Sequence, residues 1–126
     1  MFVHKHLLVN CTFEETPFKE EQKSDFWIQE VMDDIGVRSL YGPLSVRSFD
    51  KANYGISSFC IIETSHIALH SWENRRPNLV QLDVYSCRDF DKNTILNHLK
   101  KLNPLSIKYK FLDRATDFLE VDQFSP

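Results

Sequence analysis

Alternation of apolar and polar residues marks most of the predicted strands in this chain. Residues 79–87 place apolar side chains at every second position, the spacing of a strand with one buried face. Residues 56–64 are rich in apolar, β-branched and aromatic side chains, which is typical of a buried strand. The complete set of predicted strands is 4–13, 40–49, 56–64, 66–72, 79–87 and 106–112.

Two segments have the spacing of amphipathic helices instead. In residues 24–35, with Ser24 as the predicted N-cap and Gly36 as the predicted end, apolar residues recur at helical intervals. These residues are Phe26, Trp27, Val31 and Ile35. A second helix is predicted over 94–102, capped by Asp91 or Asn93, and its inward-facing residues are Ile95, Leu96, Leu99 and Leu102.

The order of these elements predicts one domain over residues 1–126. A strand, a helix, several strands, a helix and a strand favour an α+β fold. We expect a two-layer sandwich, a mostly antiparallel sheet with two helices on one face. The acidic tail from Asp113 onward is expected to be loosely ordered.

Composition and charge exclude several classes of function. The net charge is −3 and no basic stripe is present, so we expect no nucleic-acid partner. Three cysteines without a CxxC spacing argue against a disulfide framework or zinc site and favour a reducing cytoplasm. No apolar run is long enough for a signal peptide or a membrane span, so a soluble cytoplasmic protein is expected.

Side chains capable of chemistry concentrate in residues 63–73 and 83–87. Ser65 has two histidines nearby, His66 and His70, and a histidine beside a hydroxyl can act as a general base. A hydrolase with Asp83 orienting a histidine stays open, although no GxSxG motif is present. His66 and His70 lie four residues apart on a strand, or about 13 Å, too far to share a metal ion. No metal is therefore expected.

The same segments carry a resemblance to a known family. The run Thr64–Glu73 (TSHIALHSWE), followed by Asp83–Cys87 (DVYSC), resembles the paired signature of bacterial and archaeal S-adenosylmethionine decarboxylase proenzymes. Tyr54–Ser57, His6–Val9 and Asn97–Lys101 also resemble family segments. The resemblance spans most of the chain and is strongest between residues 54 and 87.

The resemblance implies self-cleavage between Thr64 and Ser65. Ser65 would be converted into a pyruvoyl group, the cofactor, which forms a Schiff base with the substrate amine and accepts electrons during decarboxylation. By position, His70 would take the serine-derived α-proton during processing and Ser57 would assist. Cys87 would return a proton to the substrate after carbon dioxide leaves.

Substrate and partner are implied in the same way. Phe49 would stack on the adenine of S-adenosylmethionine, and Glu73 would bind the ribose hydroxyls. The product would supply aminopropyl groups for spermidine synthesis. Short members of this family pair as dimers, so a homodimer of cleaved protomers is implied, with neither metal nor pyridoxal phosphate.

Departures from the family pattern keep two alternatives open. Thr64 occupies a position that is usually glutamate, which motivates an unprocessed, non-catalytic relative that binds and regulates a partner. The segment Ser71-Trp72-Glu73 lacks the family's proline. That change motivates a pyruvoyl enzyme acting on another amino acid, such as ornithine or arginine.

Overall fold

The protein folds as one antiparallel sheet covered by two helices. A computed structural model describes residues 3–126. The elements are β1 (Lys5–Phe13), α1 (Glu21–Ile35), β2 (Ser39–Ser48), β3 (Gly55–Ile62), β4 (Ser65–Trp72), β5 (Asn78–Ser86), α2 (Lys92–Lys100), β6 (Ser106–Asp113) and β7 (Leu119–Phe124). The sheet order is β2-β3-β4-β5-β1-β6-β7, and every neighbouring pair is antiparallel. The predicted α+β two-layer sandwich is confirmed.

Strand alternation divides the sheet into a covered and an open face. Both helices pack on the covered face, where buried residues of the central strands meet those of α1 and α2. The strand residues of this core are Leu7, Val9, Cys11, Phe13, Cys60, Ile62, Ile67, Leu69, Val80, Leu82, Val84 and Phe111. The open face is formed by His6, Leu8, Asn10, Tyr41, Leu44, Val46, Ser57, Phe59, Ile61, His66, Ala68, His70, Gln81, Asp83 and Tyr85.

The first helix starts earlier than its sequence predicts. It begins at Glu21, and Ser24 lies inside it, fully buried, with its Oγ 2.5 Å from the Oγ of Ser58 on β3. Ser24 is therefore a helix–sheet contact and the predicted N-cap is wrong. Phe26, one of the apolar residues at helical spacing, is 66% exposed, whereas Trp27 and Val31 are buried. Gly36 ends the helix as predicted, in the left-handed conformation that glycine adopts readily.

The second helix follows its prediction closely. It begins at Lys92, and the carboxylate of Asp91 accepts a hydrogen bond from the backbone N–H of Asn93, which makes Asp91 the N-cap. Ile95, Leu96 and Leu99 are buried against the sheet. Within residues 3–126, neither helix is long and apolar enough to cross a bilayer.

The C-terminal tail is an ordered strand, so the prediction of a loose tail is wrong. β7 pairs along the outer edge of β6. The hydroxyl of Tyr109 donates to Asp122 at 2.9 Å, and Lys92 forms an ion pair with the same carboxylate at 3.0 Å. These contacts join the tail to α2. The sheet therefore extends beyond β6, the last strand that the sequence predicts.

Candidate active site

Ser65 begins β4 directly after a two-residue hairpin turn. Ile62 pairs with Ser65, so only Glu63 and Thr64 connect β3 to β4. The backbone φ of Ser65 is 141°, a positive value that residues other than glycine rarely adopt. Such a conformation costs about 1–3 kcal/mol and persists only where surrounding structure enforces it. The backbone is therefore strained at Ser65, the residue that directly follows the Thr64 carbonyl.

Contacts from the neighbouring strand β5 hold Thr64 in place. Its carbonyl oxygen accepts a hydrogen bond from the backbone N–H of Cys87 at 2.7 Å, which continues the β4–β5 ladder. Its hydroxyl accepts a second hydrogen bond from Ser86 Oγ at 2.9 Å. Thr64 is 8% exposed and Ser86 is fully buried, whereas the Cys87 thiol is exposed. Thr64, Ser65, Ser86 and Cys87 are called the scissile group below, after the cleavage that the sequence resemblance implies between Thr64 and Ser65.

Ser86 is a candidate site residue that the sequence analysis missed. It occupies a position of β5 that alternates with Val80, Leu82 and Val84 on the covered face. A serine in that register must find a hydrogen-bond partner inside the protein, because an unpaired buried hydroxyl is costly. A serine among the apolar, inward-facing positions of a predicted strand is therefore the sequence signal that could have identified Ser86.

Ser57 and His70 form a pair on the open face. They lie opposite each other on β3 and β4, and Ser57 Oγ is 2.8 Å from Nδ1 of His70. The ring of Trp72 lies beside the imidazole, with ring centroids 5.9 Å apart. The sequence resemblance assigns both residues to self-processing, and in the structure their side chains are in direct contact.

Glu73 and Phe49 lie near the same end of β3 and β4 as His70. The Glu73 carboxylate forms an ion pair with Arg47 at 3.0 Å, and its backbone N–H donates to the carbonyl of Tyr54. Phe49 is 74% exposed and meets the Tyr54 ring edge-on at 6.0 Å. The sequence analysis assigned no role to Arg47 or Tyr54, which link Glu73 to Phe49. Phe49, Ser57, His70 and Glu73 are called the histidine group below.

The two groups occupy opposite ends of β4. Ser65 and His70 are five residues apart on one extended strand, which separates them by about 16 Å. Direct proton transfer between two groups requires hydrogen-bond distance. Within one protomer, therefore, the histidine group does not reach the bond between Thr64 and Ser65.

Comparison with known proteins identifies the family. The model of the family described as S-adenosylmethionine decarboxylase matches residues 5–115, most of the chain. The chain belongs to the S-adenosylmethionine decarboxylase family. The resemblance seen in the sequence motifs is confirmed by this match.

A solved relative has the same fold. The crystal structure of the adenosylmethionine decarboxylase from Aquifex aeolicus VF5 superposes with a TM-score of 0.72 and is 17% identical in sequence. The alignment covers 97% of this chain and 98% of that one. This S-adenosylmethionine decarboxylase family member therefore shares its fold with that protein over nearly the full length of both chains.

A third polar cluster on the open face involves His6, His66 and Asp83. Nε2 of His6 donates to the Asp83 carboxylate, and Nε2 of His66 lies 3.6 Å from the same oxygen. The Tyr85 ring packs against both imidazoles. Burial alone would raise the pKa of Asp83, but the hydrogen bond from His6 and the electrostatic attraction of His6 and His66 outweigh it. The pKa is lowered below its usual 3.8.

This cluster bears on the hydrolase and metal hypotheses. Asp83 contacts His6 and His66 rather than His70, and His66 alternates with Ser65 along β4, so the geometry does not support a Ser-His-Asp relay. The three donor atoms lie within 4.8 Å of one another and could surround an ion. However, Arg114 donates to Nδ1 of His6 at 3.1 Å, which leaves the ring proton on Nε2, directed at Asp83. That tautomer favours a hydrogen-bonded cluster.

Replacing Asp83 with asparagine is expected to lower the melting temperature at pH 7 by about 3 °C, because a charge-assisted hydrogen bond is weakened. A carboxylate with a lowered pKa stabilises the fold above the unfolded pKa, and this contribution disappears as the pH falls through the folded value. The difference between Asp83→Asn and wild type should therefore shrink below about pH 4. Thermal denaturation from pH 7 to 2.5 measures this.

The matched control is Asp33→Asn, an exposed carboxylate of α1 that accepts a hydrogen bond from Gln29. Its melting temperature should follow that of wild type across the series. A constant offset for Asp83→Asn down to pH 2.5 would contradict the electrostatic role of Asp83.

Proposed function

We propose that this protein is a cytoplasmic, self-processing, pyruvoyl-dependent decarboxylase of S-adenosylmethionine that supplies the decarboxylated product for spermidine synthesis. One observation carries the proposal beyond family membership. The strained backbone of Ser65 adjoins a carbonyl that is hydrogen-bonded to β5, and the exposed Cys87 thiol follows that strand. The residues that would supply the hydroxyl, the carbonyl and the thiol are thus neighbours at one hairpin.

Self-processing would begin with an acyl shift. Ser65 Oγ attacks the carbonyl carbon of Thr64, the Thr64–Ser65 amide bond breaks, and the proton of the hydroxyl ends on the released amine. His70, supplied by a second copy of the chain, then takes the α-proton of residue 65 as the ester bond breaks, releasing a chain of residues 1–64. Hydrolysis of the remaining dehydroalanine releases ammonia and leaves a pyruvoyl group at the start of residues 65–126.

A pyruvoyl group at residue 65 would lie at this hairpin, next to the backbone N–H of Cys87. When formed, that group supplies a carbonyl that binds the substrate amine and withdraws electrons as carbon dioxide leaves. Cys87, which follows the neighbouring strand, would return a proton to the substrate carbon. Phe49 offers an exposed ring for stacking on adenine, and Glu73 offers a carboxylate for ribose hydroxyls.

We further propose that a second copy completes each site. The histidine group and the scissile group are about 16 Å apart along β4, so each needs the other from a partner protomer. The open face carries large exposed apolar side chains toward its β2 edge, which are Tyr41, Leu44, Val46, Phe59 and Ile61. A two-fold axis through this face would bury them and place the histidine group of one copy against the scissile group of the other.

The proposal is tested by the denatured mass and the activity of purified wild-type protein. We expect two chains, residues 1–64 and 65–126, and a new terminal carbonyl that borohydride reduces. Carboxyl-labelled S-adenosylmethionine should release labelled carbon dioxide at least tenfold faster than ornithine or arginine at equal concentration.

Each alternative gives a distinct result in the same experiment. Cleavage with preference for ornithine or arginine would keep the pyruvoyl chemistry and overturn the substrate. A chain that stays whole, with no borohydride-reactive carbonyl, would reject self-processing and favour the non-catalytic relative.

A further inference from the structure

We infer that Thr64 and Ser86 act together as positioning residues for self-processing, by holding the scissile carbonyl against the backbone N–H of Cys87. The inference rests on the proposed self-cleavage and deepens it. It concerns Thr64, which stands where the family usually has glutamate, and Ser86, to which the resemblance assigns no role.

The first step of the argument is the direction of the hydrogen bonds. The backbone N–H of Arg88 donates to Ser86 Oγ at 3.1 Å, so the oxygen of Ser86 acts there as an acceptor. The one hydroxyl hydrogen of Ser86 then points to Oγ1 of Thr64, 2.9 Å away. Both residues are buried, so water does not compete for these groups. The Thr64 side chain is thereby attached to β5.

The second step is what this attachment does to the reacting bond. The Thr64 carbonyl oxygen lies 2.7 Å from the N–H of Cys87. When Ser65 Oγ adds to the carbonyl carbon, negative charge develops on that oxygen, and a donor already in place stabilises it. Two hydrogen bonds from β5, one to the side chain and one to the carbonyl, fix the peptide plane that Ser65 must attack.

The third step concerns the strain at Ser65. A positive φ at a non-glycine residue relaxes unless neighbouring contacts prevent it. The contacts of Thr64 with Ser86 and Cys87 immediately precede this residue and resist such relaxation. Loss of the hydroxyl bond should therefore slow the acyl shift itself rather than the later elimination.

The test is the rate of self-cleavage of freshly translated chains, followed by gel and intact mass. Thr64→Val keeps the shape and removes the hydroxyl, and we expect cleavage to slow by roughly tenfold. Thr64→Ser restores the hydroxyl and should cleave at or above the wild-type rate. Ser86→Ala removes the same hydrogen bond and also the acceptor of the Arg88 N–H, so it should cleave at least as slowly as Thr64→Val. The double variant should be little slower than Ser86→Ala, because the hydrogen bond between the two side chains is already lost.

The matched control is Thr12→Val. Thr12 Oγ1 also bonds a serine hydroxyl on a neighbouring strand, that of Ser106 at 2.6 Å, but between β1 and β6. It should cleave at the wild-type rate. Hydroxylamine shows which step is slow, because it cuts the ester that the acyl shift forms. It should not accelerate cleavage of Thr64→Val, since the slow step of that variant precedes ester formation.

Different failures are distinguishable. If the wild-type chain cleaves, three results would overturn the positioning role alone. Thr64→Val could cleave as fast as wild type, Thr12→Val could cleave as slowly as Thr64→Val, or Thr64→Ser could fail to restore the rate. A wild-type chain that never cleaves would reject the proposed function and this inference with it.

Discussion

Replacing Ser65 with alanine is expected to leave a single uncut chain of 14.9 kDa and to abolish decarboxylation completely. The acyl shift needs an oxygen at this position, and the electron-withdrawing carbonyl derives from the same residue. No other side chain follows the Thr64 carbonyl directly. Intact mass and labelled carbon dioxide release measure the two effects, and hydroxylamine should not cut the variant, because no ester forms.

A matched control separates the chemistry from general damage to β4. Ser71 lies on the same strand, is buried, and donates to Thr16 at 2.8 Å. Ser71→Ala should therefore lose some stability and still divide into two chains. Cleavage of Ser65→Ala at the wild-type position would show that the hydroxyl at 65 is not the nucleophile.

Much of the fold was accessible from the sequence because strand alternation is set by burial. The buried positions of β5 follow its alternating pattern residue by residue. The tail was not accessible, because β7 forms by adding to a free sheet edge, a backbone interaction that leaves little trace in the composition. Ser24 shows the same limit: its burial depends on Ser58, which is distant in sequence.

The candidate site was predicted from local segments, without its spatial arrangement. Local motifs made Ser65, His70 and Cys87 candidates, since each lies in a run that resembles the family signature. Pairings such as Arg47 with Glu73 depend on how strands assemble and could not be found locally. The distance between Ser65 and His70, by contrast, could be calculated from the sequence, because Ser65 directly precedes the predicted strand that contains His70 and a strand has a known rise per residue.

Coexpression of His70→Ala with Cys87→Ala is expected to restore about a quarter of wild-type decarboxylation, although each variant alone should be nearly inactive. If each site combines the scissile group of one protomer with the histidine group of the other, half of the dimers are mixed. In a mixed dimer, the His70→Ala chain supplies an intact scissile group and the Cys87→Ala chain supplies an intact histidine. One of its two sites is then complete, while the second carries both defects.

Two matched pairs test the geometry behind this result. His70→Ala with Ser57→Ala places both defects in the histidine group, and Ser65→Ala with Cys87→Ala places both in the scissile group. Neither pair leaves any site complete, so neither should regain activity. Labelled carbon dioxide release per total protein, together with the mass of each chain, measures all three. If coexpressed His70→Ala and Cys87→Ala show no more activity than these two pairs, the groups do not combine across a dimer. Their separation of about 16 Å along one strand would then need another explanation.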